Sequence, residues 1–204
     1  MAPRTKTGAI EKKEEATMRL PSTIPVIPTL TADGVRLRAP RQDDVEVLVR
    51  AFTDDQVRRF MPVPPNYTAA DAQGFVDWVP RAWQQQERAI FVIADAATDT
   101  CIGEAELLSF NTLYDSAEIA FLLDAPARRL RTSAAALRLL CRFGFEHLQL
   151  GRIEAFADIE NHAVHYLGLF VGFQHEGTAR AKFSTPDGKR RDAVVAALLP
   201  SDLA

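Results

Sequence analysis

In the stretch DDVEVLVRAF, Val45, Leu48, Val49 and Phe52 fall at i, i+3, i+4 and i+7, the apolar stripe of an amphipathic helix. Before it, Val35 to Pro40 alternates like a short strand stopped by proline. After it, the proline-broken MPVPPNY leads to Thr68, a good N-cap. A helix is predicted from Ala69 to about Gln86, kinked or split at Pro80. The period then changes. RAIFVIADAATDTCIGEAELLSF reads as strand, polar turn and strand, and SAEIAFLLD as a third strand closed by Pro126. From Ser133 to about Leu148 the helical period returns, with Leu137, Leu140, Cys141, Gly144 and Leu148 inside and Arg138, Arg142 and Glu146 outside. RIEAFAD is another strand, Asn161 caps a helix ending near Gly172, and the remaining residues form an antiparallel hairpin around TPDGK.

The order β-α-α-β-β-β-α-β-α-β-β predicts one mixed α/β (α+β) domain: a central mixed sheet of about seven strands flanked by about four helices. Residues 1 to about 20 are polar and mixed in charge, and Pro21, Pro25 and Pro28 favour an extended linker. We therefore place a flexible tail and linker at 1–28 and the domain at 29–204.

Composition narrows the function classes. The 204 residues are 47% hydrophobic and carry a net charge of −3, so no global field draws the chain to nucleic acid or to an anionic membrane. No apolar run is long enough to span a bilayer, and no signal sequence opens the chain, so a cytoplasmic protein is expected. Cys101 and Cys141 both sit in apolar patterns; buried thiols are expected, with a disulfide as the alternative. His162 and His165 are spaced for one side of a helix, but no third metal ligand accompanies them, and no metal is expected.

Against this background ARRLRTS is unusual. Arg128, Arg129 and Arg131 crowd the start of a predicted helix, with Thr132 and Ser133 available as caps. A helix N-terminus already carries partial positive charge, so the cluster favours an anion. The alternative is a solvated basic loop.

The order of elements resembles the GNAT superfamily of acyl-CoA N-acyltransferases, and within it the branch that acetylates N-terminal amines of ribosomal proteins. The resemblance runs from about Thr29 to Leu203 and is carried by VRLRAPRQDDVEVL, CIGEAELL, AEIAFLLD, GRIEAFADIENHAVHYLGLFVGFQHEG and DGKRRDAVVAALL. It implies acetyl-CoA as cosubstrate. The family's Arg/Gln-x-x-Gly-x-Gly/Ala loop, whose amides bind the coenzyme A pyrophosphate, falls on Arg128 to Ser133. Arg131 stands at the glycine position. A positive φ there would cost ~1–2 kcal/mol, against roughly 1.5–3 kcal/mol from a charge-assisted bond to phosphate. Arg131 thus either grips the cofactor or obstructs it. The resemblance adds Leu122 and Leu123, on the strand before the loop, and Asn161 as further cofactor contacts. The family's Asn-x-x-Ser/Ala becomes Asn161-His-Ala-Val164. The tyrosine that many members use to protonate the thiolate is Gly168 here, with Tyr166 about 200° around the helix.

Attack by an amine requires a base. Glu104 and Glu106 share one strand face, and Glu118 lies beside the strand amide that would polarise the thioester; each is otherwise an ordinary solvent-facing glutamate. Trp78 and Trp83 suit core packing, on a helix that lines the acceptor side in the resembled fold. The expected function is acetyl transfer from acetyl-CoA to a primary amine, on a small molecule or a peptide N-terminus, by direct attack in a ternary complex. A homodimer is compatible with this. The alternative is a GNAT-fold binding or regulatory module without transfer.

Overall fold

The computed structural model describes residues 26–185 and 188–203, so all but the last three residues of the tail and linker expected over 1–28 lie outside the described residues. The first strand, β1 (Leu30–Ala32), folds back on β2 (Val35–Arg38). The turn between them is Asp33-Gly34, with φ of 49° and 79°. Two left-handed residues make the tight turn that matches strand twist, and Asp-Gly supplies them. Next come α1 (Val45–Thr53), α2 (Asp55–Phe60) and α3 (Ala69–Gln84). Asp54 caps α2 by accepting from the Gln56 and Val57 amides. A Thr68–Asp71 capping box opens α3, which runs unbroken through Pro80, so the proline does not split it.

Strands β3 (Ala89–Asp95), β4 (Cys101–Asn111) and β5 (Ser116–Leu123) form a meander, followed by α4 (Leu130–Glu146), β6 (Arg152–Asp158), α5 (His162–Val171) and the hairpin β7 (Gln174–Ser184) and β8 (Arg190–Leu198). One sheet of eight strands results, in the order β1-β2-β3-β4-β5-β6-β8-β7; only β5–β6 is parallel. Among the described residues there are thus eight strands and five helices, against about seven and about four expected. The additions, β1 and α2, are three and six residues long, too short for a period to register.

α4 packs its Leu137, Leu140 and Cys141 stripe on one sheet face, against Leu37, Phe91, Ile93 and Leu107. Trp83 joins this core, its ring 5.1 Å from Phe91 and 6.0 Å from Phe143, while its indole N–H donates to the Ile90 carbonyl. The opposite face is only partly covered. There Leu48, Ala72 and Val76 of α1 and α3 pack on Val92 and Cys101. Both cysteines are buried and free.

A buried ion cluster pins the start of the domain. Arg38 and Asp44 are each 2% exposed. The guanidinium donates two 2.8 Å bonds to the Asp44 carboxylate and a 3.1 Å bond to Asp99, which also receives Arg36.

Candidate active site

The parallel pair β5–β6 is short. Its register covers Ser116–Arg152, Ala117–Ile153 and Glu118–Glu154, after which β5 runs to Leu123 and β6 to Asp158 without further pairing. The sheet therefore forks. Asp124 N–H donates to the Ile102 carbonyl on the β4 side. Backbone direction alternates along a strand, so the Phe121 amide and carbonyl and the Leu123 amide point into the fork. A cavity of ≈ 300 Å³ occupies it, walled by Phe121, Leu122 and Leu123 of β5, Val164 and Leu167 of α5, Val57 and Phe60 of α2, and Met61 just after it.

At the mouth of this cleft α4 begins three residues earlier than predicted, at Leu130, with Arg129 as an N-cap that offers no side-chain bond. This corrects the role of Thr132 and Ser133. They lie inside the first turn and are not caps. Leu130 is exposed and left the apolar stripe without a visible start. With no cap, the amides of Leu130, Arg131 and Thr132 find no acceptor among the described residues. Arg131 is helical, so the cost of a positive φ does not arise.

The three arginines differ. Arg128 is engaged by protein: its Nε donates to the Leu123 carbonyl at 2.8 Å, Nη1 to Gln56 at 3.0 Å, and Nη2 lies 2.8 Å from Asp54. Burial alone would raise the Asp54 pKa, but Arg128 and the Val57 amide hold it below the ordinary carboxylate range. Arg129 and Arg131 are exposed and pair with no described residue. Ser133 and Asn161 both line the cleft. Asn161 caps α5 through its carbonyl oxygen, which accepts from the Val164 amide, so its side-chain NH₂ is left to face the cavity. Tyr166 also lines the cleft.

Directly paired residues share a face, so Val92–Glu104–Leu122 and Glu118–Glu154 place Glu104, Glu106, Glu118 and Glu154 together on the partly covered side of the sheet. Their environments differ. Glu104 is 4% exposed, and its Oε1 has no hydrogen-bond partner; burial first, then Glu106, drives its pKa well above the ordinary value. The expectation of a solvent-facing Glu104 is therefore corrected. Glu106 is held by Arg88, whose Nη1 donates to both carboxylate oxygens at 3.1 Å and whose guanidinium lies over Trp78. Glu118 sits where the strands part. Burial raises its pKa, Lys182 opposes this, and Glu154 adds to it. Sequence reasoning missed Glu154 and Lys182. The period-two spacing of Glu154 and Phe156 was visible, but not which strand Glu154 would join.

Because burial lifts the folded pKa of Glu104 above its unfolded value, the group supports folding in acid, and that support is lost as pH rises through the folded pKa. Glu104→Gln should raise the melting temperature at pH 7–8 and leave it nearly unchanged near pH 4. Thermal melts across pH would refute this if the gain were equal at both ends.

His162 and His165 stack edge-to-face 6.0 Å apart, and among the described residues no group of three His, Cys, Asp or Glu is arranged to hold a metal ion. Among the described residues no helix is long and apolar enough to cross a membrane.

Residues 35–174 match the family described as the acetyltransferase (GNAT) domain. The chain is 26% identical over 176 residues to the uncharacterised N-acetyltransferase p20 of Bacillus licheniformis, covering 86% of this chain and 98% of that protein. Its fold matches the ribosomal-protein-S5-alanine acetyltransferase of Vibrio fischeri, with TM-score 0.74 at 15% identity over 87% of this chain and 99% of the other. It also matches Mycobacterium smegmatis RimJ in complex with CoA-disulfide, with TM-score 0.72 at 22% identity over 83% of each chain.

Proposed function

This chain belongs to the GNAT acetyltransferase family and is an acyl-CoA-dependent N-acyltransferase, and we propose that it moves the acetyl group of acetyl-CoA to a primary amine by direct attack, with Glu118 as base. The observation that carries this reading is the forked sheet, with an uncapped helix N-terminus at one end and Glu118 at the other. The free amides of α4, with Arg129 and Arg131, suit a pyrophosphate. The apolar cleft suits the pantetheine arm, whose amides can pair with the open edge of β5 at Phe121 and Leu123, beside Leu122, and with the Asn161 side chain. Thr132 contributes its backbone amide, and Ser133 sits close enough to the mouth for its hydroxyl to join. Arg128, spent on Asp54, Gln56 and Leu123, holds the α2 wall in place.

The amine approaches over the partly covered face. A thioester is already activated, so the protein's work is to position the reactants, polarise the carbonyl with a β5 amide and remove the proton. Glu106 is neutralised by Arg88 and Glu104 is sealed in, which leaves Glu118 at the fork. The fold match to ribosomal-protein acetyltransferases makes a peptide N-terminus one acceptor to test first, beside small amines. Calorimetric titration with acetyl-CoA, followed by a thiol-release assay over peptides and small amines, tests the reading. Tight binding without turnover on any amine would favour a binding module.

Alanine at Arg129 or Arg131 should weaken coenzyme A binding by ~1.5–3 kcal/mol, about ten- to a hundredfold, and wild-type affinity should fall as salt rises. If Arg131→Gly instead tightened binding, Arg131 would be an obstruction.

A further inference from the structure

We propose that the enzyme acetylates its own Lys182. The inference rests on the acetyl-transfer reading above and on where one amine is held. Lys182 belongs to β7, at the far edge of the sheet, yet its ammonium lies 4.0 Å from the centre of the Phe156 ring on β6. Phe156 is two residues beyond Glu154, just past the point where β6 leaves β5, and on the same face as Glu118. The side chain thus spans β8 to reach the rim of the fork.

A built feature of β7 aims it there. Between Ala179 and Phe183 the strand carries two residues more than β8 does, a bulge that re-aims side chains. Within it Ala181 has φ of 54°, a conformation that costs a non-glycine residue ~1–2 kcal/mol. The strain is held from both sides: the Ala181 amide donates to Asp192 at 2.7 Å, and its carbonyl accepts from Arg190 at 2.8 Å. Lys182, the next residue, forms no ion pair or hydrogen bond with a described residue. It rests on an aromatic face beside the fork, close enough to Glu118 to act on its charge, as an acceptor amine would.

The chain is also sparing with lysine. After Lys13 only Lys182 and Lys189 occur, against many arginines. Of the two lysine amines in the described domain, one is placed beside the fork.

In the transfer, one ammonium proton passes to Glu118 and on to solvent, and the Nζ lone pair attacks the thioester carbonyl carbon. The C–N bond forms and the C–S bond breaks. Its electron pair leaves on sulfur, and the second proton shed by nitrogen neutralises the thiolate, giving acetyl-lysine and coenzyme A thiol.

The test is to incubate the full-length protein with acetyl-CoA without acceptor, digest it, and follow acetylation at each lysine by mass spectrometry. Lys182 should acquire acetyl at least about tenfold faster than Lys189 or the tail lysines, and Glu118→Gln should abolish that preference while still binding acetyl-CoA calorimetrically. Equal rates at all lysines, or an undiminished rate in Glu118→Gln, would mark uncatalysed chemical acetylation and overturn the proposal. Thiol release with an added amine panel separates the two readings. Turnover on an amine with Lys182 unmodified overturns self-transfer alone, whereas no turnover and no Lys182 acetylation overturns both.

Discussion

Glu118→Gln is expected to cut turnover by about 10²–10⁴-fold with acetyl-CoA affinity retained, while Glu104→Gln and Glu106→Gln cost far less. The asymmetry follows from the three environments. Glu104 is sealed in, and burial favours its neutral form, so it could act as a base only after becoming a carboxylate in an apolar site. Burial raises the Glu106 pKa and Arg88 opposes that rise, and the Arg88 ion pair must be given up before this carboxylate takes a proton from an amine. Glu118 is half-buried at the fork, with its pKa raised by burial and restrained by Lys182. A base works when deprotonated, so activity should rise with pH through the Glu118 pKa, above the ordinary glutamate range. Lys182→Gln removes the restraining cation and should move that acid limb to higher pH. If all three glutamine variants stay fully active, proton removal belongs to water or to Glu154.

Asp44→Ala should destabilise the domain by about 3–5 kcal/mol, read as a lower urea midpoint with little change in slope. The change leaves the Arg38 guanidinium, 2% exposed, without its principal counter-ion, and also removes the acceptor of the Arg41 amide. Asp99 remains, but its carboxylate is shared with Arg36 and Arg41. Replacing Arg38 and Asp44 together by methionine and leucine should cost less than Asp44→Ala alone, because no buried charge is then stranded. Equal losses would mean that the pair acts through shape rather than charge.

Much of the fold was legible because its signals are local. Thr68 with Asp71, Asn161 before α5, and the alternating runs of β3 to β5 each announce themselves within a few residues. The start of α4 was not legible, since Arg129 offers no cap and the first helical residue, Leu130, faces solvent. The site was legible in its residue types and less so in its partnerships. Arg128 meets Gln56 across 72 positions, and the sequence near Arg128 contains nothing that announces α2. Glu118 and Glu154 become neighbours only because β6 joins β5 at three residues and then departs. Such pairings are set by which strands pack beside which, a property of the whole chain.

The brevity of that junction has a mechanical consequence. Strands β1 to β5 form one continuous antiparallel ribbon and β6 to β8 a second; among the described residues they are joined by three residue pairs and, just ahead of these, by the Gly151 amide donating to the Asp115 carbonyl. Bending along the seam would widen or narrow the cleft and leave every other ladder intact. α4, which packs against β2, β4 and β6, works as the spring across it. A cosubstrate lying in the fork with its amides on β5 acts as a stitch that lengthens the seam. The two ribbons should therefore exchange their amide hydrogens as separate cooperative blocks in the free protein and as one block when acetyl-CoA is bound.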